Sequence, residues 1–271
     1  MTAPTGVSSG VGFRNAVLFE LDSSGYPKAT STTAYEGKRI SGEKTCTIND
    51  PDPRRISHIG DDSLVSIDML PPTEAISGEM HTSKANGIID AVISGQKLFT
   101  VGEASLFGVG TDKRGFEPQV AVLAYRQAQD TDPDSPTFGL RAWDFRIMPK
   151  VVLYARENGF ADSPEDRIYS LVPMFCTAHL WGTVFSEATE GFARCQMLRG
   201  LSWYKPKIVA WKGDNATVEF LFPTAAPAVS VSKVAVWKNG VAVTPTVAVN
   251  KLTFSTAPAT GDMIVAYYEV A

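Results

Sequence analysis

Hydrophobic and polar residues alternate along 63–70. Val65, Ile67 and Met69 fall on one side of the chain and Leu64, Ser66 and Asp68 on the other, which is the period of a half-buried strand. Pro71 and Pro72 remove two successive backbone donors and fix φ near −65°, so the ladder is expected to end in a corner there. From Glu74 the alternation resumes, with Ile76 and Met80 opposed to Ser77, Glu79 and His81. Ser83 then stands where a helix cap is expected. Ile88, Ile89, Val92 and Ile93 follow as one stripe at spacings of three and four, and Gly95 is placed to end the helix in a left-handed conformation.

The same reading predicts strands at 17–21, 40–48, 119–126, 138–147, 150–156 and 168–179, with Pro149 separating the fourth from the fifth. The segment 119–126, QVAVLAYR, is apolar on both sides and reads as a central strand. Residues 49–53, NDPDP, end regular structure. The segment 186–198 fits either a helix capped by Ser186 or a strand after Gly191, and the alternation favours the strand. Apart from the strand at 40–48, long loops are expected mainly at 27–62, 100–117 and 128–136. Beyond Pro206 the chain turns to short, Val-rich segments with few charges. Lys233–Lys238, the Asn239-Gly240 pair and Val241–Val243 form a type I′ hairpin signal, followed by strands at 252–254 and 263–270. The fold class is therefore mainly β. It is a β-sandwich or barrel over 1–206 with one flanking α-helix at about 83–94, joined near 207 to a small C-terminal antiparallel β unit, 207–271, that is either a module or an added sheet.

Composition narrows the function. A chain of 271 residues buries roughly 70–75% of its unfolded surface and has no need of disulfides. Cys46, Cys176 and Cys195 are odd in number and irregular in spacing, as buried free thiols in a reducing cytoplasm would be. The first dozen residues lack the basic start and apolar core of a signal peptide, and no apolar run reaches the roughly 18 residues of a membrane span. Net charge is −4, and after residue 206 five basic residues stand against four acidic ones, so neither part is basic. A protein that grips nucleic acid clusters Lys and Arg, because phosphate neutralisation supplies most of the affinity. Arg54-Arg55 and Lys113-Arg114 read instead as solvated loops.

No reactive set emerges. Cys176 and His179 are three apart, and on a strand they face opposite sides. His58 and His81 have no second ligand at metal-site spacing. The glycines at 108, 110 and 115 lack the Lys and Ser/Thr of a phosphate loop. The acid pairs Asp61-Asp62 and Glu20 with Asp22 read as surface charge. Neither catalysis, a cofactor nor a metal is expected.

In order and texture, GFRNAVLFELDSSGYP at 12–27, the run SLVSIDMLPPTEAISGEMHTSKANGIIDAVISG at 63–95, and the stretch from VSKVAVWKNGVAVTP to GDMIVAYYEV resemble the tail tube, or major tail, proteins of long-tailed bacteriophages. The resemblance implies a β-sandwich with a flanking helix, closing into hexameric rings that stack into the conduit for genome ejection. It implies a virion protein assembled in the host cytoplasm, with a tape-measure protein and tail initiator and terminator proteins as partners and with no membrane. About four strands per subunit would line the bore. About twenty-four strands at ~4.8 Å spacing and ~40° tilt close a barrel of roughly 48 Å, wide enough for double-stranded DNA to pass. A neutral or acidic wall lets the duplex slide without tight binding. Ser66, Asp68, Ser77 and Glu79, on the wet sides of the strands within 63–81, are the candidate lumen-lining residues. Two other readings are a carbohydrate-binding, adhesive β-sandwich, with Trp181, Trp203, Trp211 and Trp237 as a stacking platform, and a capsid-decorating protein.

Overall fold

A computed structural model describes residues 7–31, 33–40, 43–49, 51–52, 54–60, 63–70, 76–83, 87–95, 99–102, 104–106, 118–156, 167–174, 197–223, 227–228 and 230–270. The first half contains β1 (Val7–Glu20), β2 (Lys38–Ile40), β3 (Glu43–Asn49), β4 (Arg54–Gly60), β5 (Ser63–Leu70), β6 (Ser77–Thr82), α1 (Gly87–Ser94), β7 (Phe99–Val101) and β8 (Ala104–Leu106). Then come β9 (Gln119–Asp130), β10 (Arg141–Arg156), β11 (Arg167–Pro173) and β12 (Leu198–Ser202). The C-terminal strands are β13 (Lys205–Lys212), β14 (Glu219–Leu221), β15 (Val234–Lys238), β16 (Val241–Val243), β17 (Thr246–Ala248), β18 (Lys251–Thr253) and β19 (Met263–Val270). The protein is mainly β, with several antiparallel sheets and one short helix in a sandwich-like arrangement.

The main sheet runs β2-β1-β9-β10-β11-β6-β3, and β12 also pairs with β10. It curls back on itself, because β3 returns beside β1. Its inner face then encloses one core, in which Leu18, Val122, Met148, Leu153, Tyr169 and Met80 meet. Strand β10 belongs to both walls: its first half pairs with β12 and its second with β11. Pro149 does not divide it. The register with β9 slips by one residue between Met148 and Val151, and this bulge absorbs the proline that has no donor to offer the ladder. The predicted break is thus a bend within one 16-residue strand.

Helix α1 packs Ile89, Val92 and Ile93 into the same core, and Gly95 closes it at φ +67°. The predicted Ser83 cap is separated from Gly87 by residues outside those described. Strand β9 is buried on both sides from Val120 to Tyr125, as its unbroken apolar run requires.

The outer face of the first wall is covered by the C-terminal segment. Phe19, Leu123, Tyr125 and Ile147 pack there against Ile208, Ala210, Met263 and Val265. The covering sheet has the order β13-β19-β15-β16, and its far side packs Trp211, Tyr268 and Ile264 against Phe220, Phe222 and Leu252 around the sheet β14-β18-β17. The ring of Phe222 stacks on Tyr268 with centroids 4.5 Å apart. Asn239 (φ 50°) and Gly240 (φ 78°) make the expected hairpin turn between β15 and β16. Two ties bind this segment to the main sheet: a bridge pairing Tyr35 with Ala210, and Ser202 Oγ donating to the buried Glu269 Oε1 at 2.7 Å.

Other boundaries differ from the sequence reading. Strand β1 begins at Val7, not at 17, and carries three register shifts across its glycine-rich start. The strand expected at 40–48 is present as β3 with β2 just before it, whereas the rest of 27–62, expected as loop, also contains β4, and 100–117 contains part of the β7–β8 hairpin. The loop expected at 128–136 occupies 131–140, because β9 continues to Asp130 and β10 begins only at Arg141. Strand β11 ends at Pro173, and 175–196, with Cys176, His179, Trp181 and Cys195, lie outside the described residues.

Candidate functional site

Along β6 the sides alternate as the sequence implies. Met80 is fully buried in the main core, while Ser77 is exposed and Glu79 and His81 are half-buried on the opposite face. Antiparallel register sets Glu79 directly between Ser170 of β11 and Thr47 of β3, and Ser170 in turn opposes Tyr154 of β10. The neighbouring row runs from Ile168 through His81 to Thr45, and Ser77 opposes Asn49. Thr45, Thr47, Asn49, Tyr154 and Val172 are exposed. The second half of β10 with β11, β6 and β3 therefore forms a four-stranded wall with an apolar inner side and a polar outer side.

Charge is sparse on that outer side. Within the rows just described the ionisable pair is Glu79 with His81, 3.8 Å apart. Lys150 and Arg156 mark the two ends of this half of β10. Thr45, Thr47, Asn49, Ser77 and Ser170 add hydroxyl and amide groups, and Tyr154, Ile168 and Val172 interrupt them with apolar surface.

Among the described residues neither edge of the wall is hydrogen-bonded to a further strand, although β3 lies beside β1. Strand β3 ends the strand order, with β6 on one side. On β10, pairing with β9 stops at Val152, so Leu153–Arg156 has β11 alone. Such edges present rows of backbone donors and acceptors that a further strand can satisfy.

The four sequence candidates separate into two places. Ser77 and Glu79 lie on the polar wall. Ser66 and Asp68 lie on β5, opposite His58 and Ile56 of β4, in a two-stranded sheet that is not hydrogen-bonded to the main one. The residues that join Ser77 and Glu79 on the wall, Thr45, Thr47, Asn49, Tyr154 and Ser170, were not singled out by sequence. Alternation within β3 and β11 was the available signal, and only cross-strand register assembles them.

Buried polar groups elsewhere act in the architecture. Asp90 of α1 accepts from Tyr169 Oη at 3.0 Å and pairs with Arg167 at 3.0 Å, tying helix to sheet. Burial raises its pKa, against the opposing pull of Arg167 and the Tyr169 hydrogen bond. Burial likewise pushes the Cys46 thiol up to about 11, leaving it protonated and unreactive. Trp211 is 1% and Trp237 8% exposed, so neither belongs to a surface stacking platform. Among the described residues no group of three His, Cys, Asp or Glu is placed to hold a metal ion, and no helix is long and apolar enough to cross a membrane. Compared with known proteins, the chain matches no family model, no curated protein and no solved structure.

Proposed function

We propose that this chain is a structural virion protein that polymerises as stacked hexameric rings into the tail tube of a long-tailed bacteriophage. The observation that carries the reading is the wall of β10, β11, β6 and β3: four antiparallel strands with a mixed, mostly polar outer side, whose two outermost strands have no further hydrogen-bonded partner among the described residues, β3 lying beside β1 without pairing to it. Pairing β3 of one copy with the Leu153–Arg156 edge of the next continues the sheet from subunit to subunit. Strand twist and tilt then curve the joined sheet into a closed barrel. Four strands per copy is the share that the tail-tube resemblance implies. The C-terminal sheets cover the opposite face of the subunit, on the outside of such a ring.

Ser77 and Glu79 then face the bore, where hydrated small side chains let DNA slide without tight binding. Ser66 and Asp68, on the β4–β5 hairpin, are the second pair of candidate lumen-lining residues. Tape-measure, initiator and terminator proteins are the further partners that this reading entails.

Electron microscopy of the purified full chain provides the test. Rings or tubes of constant bore, with Glu79 on the inner surface, are the expected result. Particles without a bore, or chains that stay monomeric at every concentration, overturn the reading. Within a particle, Ser77→Lys with Glu79→Lys should slow genome delivery from tails of normal length, and unchanged delivery removes these residues from the lumen. The adhesive reading is not favoured, since Trp211 and Trp237 are consumed by the core.

A further inference from the structure

Between the main sheet and the C-terminal segment lies a cavity of about 330 Å³, floored by the half-buried Val17 above the buried Phe19, Leu123, Tyr125 and Ile208 and rimmed by Arg39, Lys205 and Lys207. Glu36 also lines it and is 2.8 Å from Lys207 Nζ, so that cation is already paired. Lys205 Nζ stands 4.9 Å from the centre of the Tyr125 ring and 5.7 Å from that of Trp143, with no carboxylate partner among the described residues. Its pKa is lowered by burial and by the charges of Lys207 and Arg39, the mark of cations crowded without enough counter-charge. Asn15, 4% exposed, also lines this cavity, and its Oδ1 has no hydrogen-bond partner among the described residues. Three cations against one carboxylate, over an apolar floor and beside an unmet buried acceptor, form a seat for an acidic segment with an apolar anchor.

The chain carries such a segment. The loop between β9 and β10 exposes Asp132 and Asp134 beside Phe138, which is 59% exposed, and Leu140, which is 42% exposed. Its shape is built in advance. Asp130 accepts from the Asp132 amide, from Ser135 Oγ at 2.7 Å and from Thr137 Oγ1 at 2.6 Å. Phe138 N donates to Ser135 O, and Gly139 turns at φ +78°. A pre-shaped loop with an exposed aromatic residue beside its closing pair loses little ordering entropy on docking. The loop's two exposed carboxylates balance the cavity's excess of two positive charges.

We propose that the 131–140 loop of one copy docks into the Arg39–Lys205–Lys207 cavity of another, with Phe138 on the apolar floor and Asp132 and Asp134 against the cationic rim. The contact is head-to-tail, so it extends or closes an assembly instead of ending at a dimer. It deepens the self-assembly reading given above and specifies one of its contacts.

Two charge-reversed full-length chains test it: Asp132→Lys/Asp134→Lys in the loop and Arg39→Glu/Lys205→Glu in the cavity. Circular dichroism melts confirm that each is folded, and sedimentation velocity with electron microscopy follows assembly. Each alone should need at least about thirtyfold more protein to assemble than the unaltered chain. Their mixture should recover assembly, because the reversed loop of one fits the reversed cavity of the other. Phe138→Ala should weaken assembly to a similar degree and show no recovery on mixing with either. Unchanged tubes from both reversed variants overturn this docking and leave the tube reading standing. Loop-sensitive assemblies without a bore retain the docking and overturn the tube. An unaltered chain that remains monomeric at every concentration overturns both.

Discussion

Asp214 holds the turn ahead of β14 through its side chain, accepting from the amides of Ala216 and Thr217 and from Thr217 Oγ1 at 2.7–2.9 Å. Those donors favour the carboxylate and bring its pKa down from 3.8 to about 2, with the Thr217 amide the largest cause. Because the folded value lies below the unfolded one, this stabilisation is complete above pH 3.8 and is lost as pH falls through about 2. Asp130 and Asp262 shift in the same direction, held by Thr137 and by Asn239 respectively, so acid should loosen the 131–140 loop and the β15–β16 end together. Asp214→Asn should lower the melting temperature at pH 7, and the difference from the unaltered chain should shrink as melts are repeated from pH 4 down to pH 2. A gap that stays constant over that range would show the carboxylate's charge to be irrelevant.

At the level of elements, the short helix is fastened by an interaction that its apolar stripe did not announce. Asp90 interrupts that stripe, yet it is 4% exposed and meets both Tyr169 and Arg167 of β11. Burial already disfavours its charge, so Asp90→Asn, which keeps an acceptor for Tyr169, should cost little. Asp90→Ala leaves a buried hydroxyl and a partly buried guanidinium without their partner and should cost about 2–3 kcal/mol in denaturant melts. Similar losses for both variants would mean that the ion pair, not the hydrogen bond, holds the helix. Elements of this kind divide by how locally they are encoded. The strand β5, the two-sided burial of β9, the Asn239-Gly240 turn and the helix ending at Gly95 were legible, since each follows from neighbours within a few residues. The start of β1 was not, because VSSGVG has no alternation to read. Nor was the continuity of β10, because a proline shows the missing donor but not the bulge that accommodates it. On the polar wall, Ser77 and Glu79 were readable as a wet side. Their neighbours on β3 and β11 come from register across gaps of 30 and 90 residues, about which local pattern is silent.

Across the whole molecule, the layers follow one another from the polar wall through the main core and the β1–β9 wall to the two C-terminal sheets. The middle interface is apolar on both sides. Residues from Lys205 onward cover Phe19, Leu21, Ala121, Leu123, Tyr125, Phe145 and Ile147. Gly200 is part of the same fit, since a Cβ there would come within 2.3 Å of the Phe145 ring. A decoration joined only by a linker could be removed without harm to the body beneath it. Here removal would bare a contiguous apolar sheet face that water penalises at ~25 cal/mol per Å². A chain ending at residue 204 should therefore aggregate or recover only from the insoluble fraction, whereas loss of a tethered module would leave a soluble body of native thermal stability. Size-exclusion chromatography and thermal melts of the truncated chain separate the two outcomes. If the truncated body proves soluble and still builds tubes, the C-terminal sheets serve the exterior alone. If it fails to fold, they are part of the body itself, the layer that closes the apolar outer face of β1, β9 and β10.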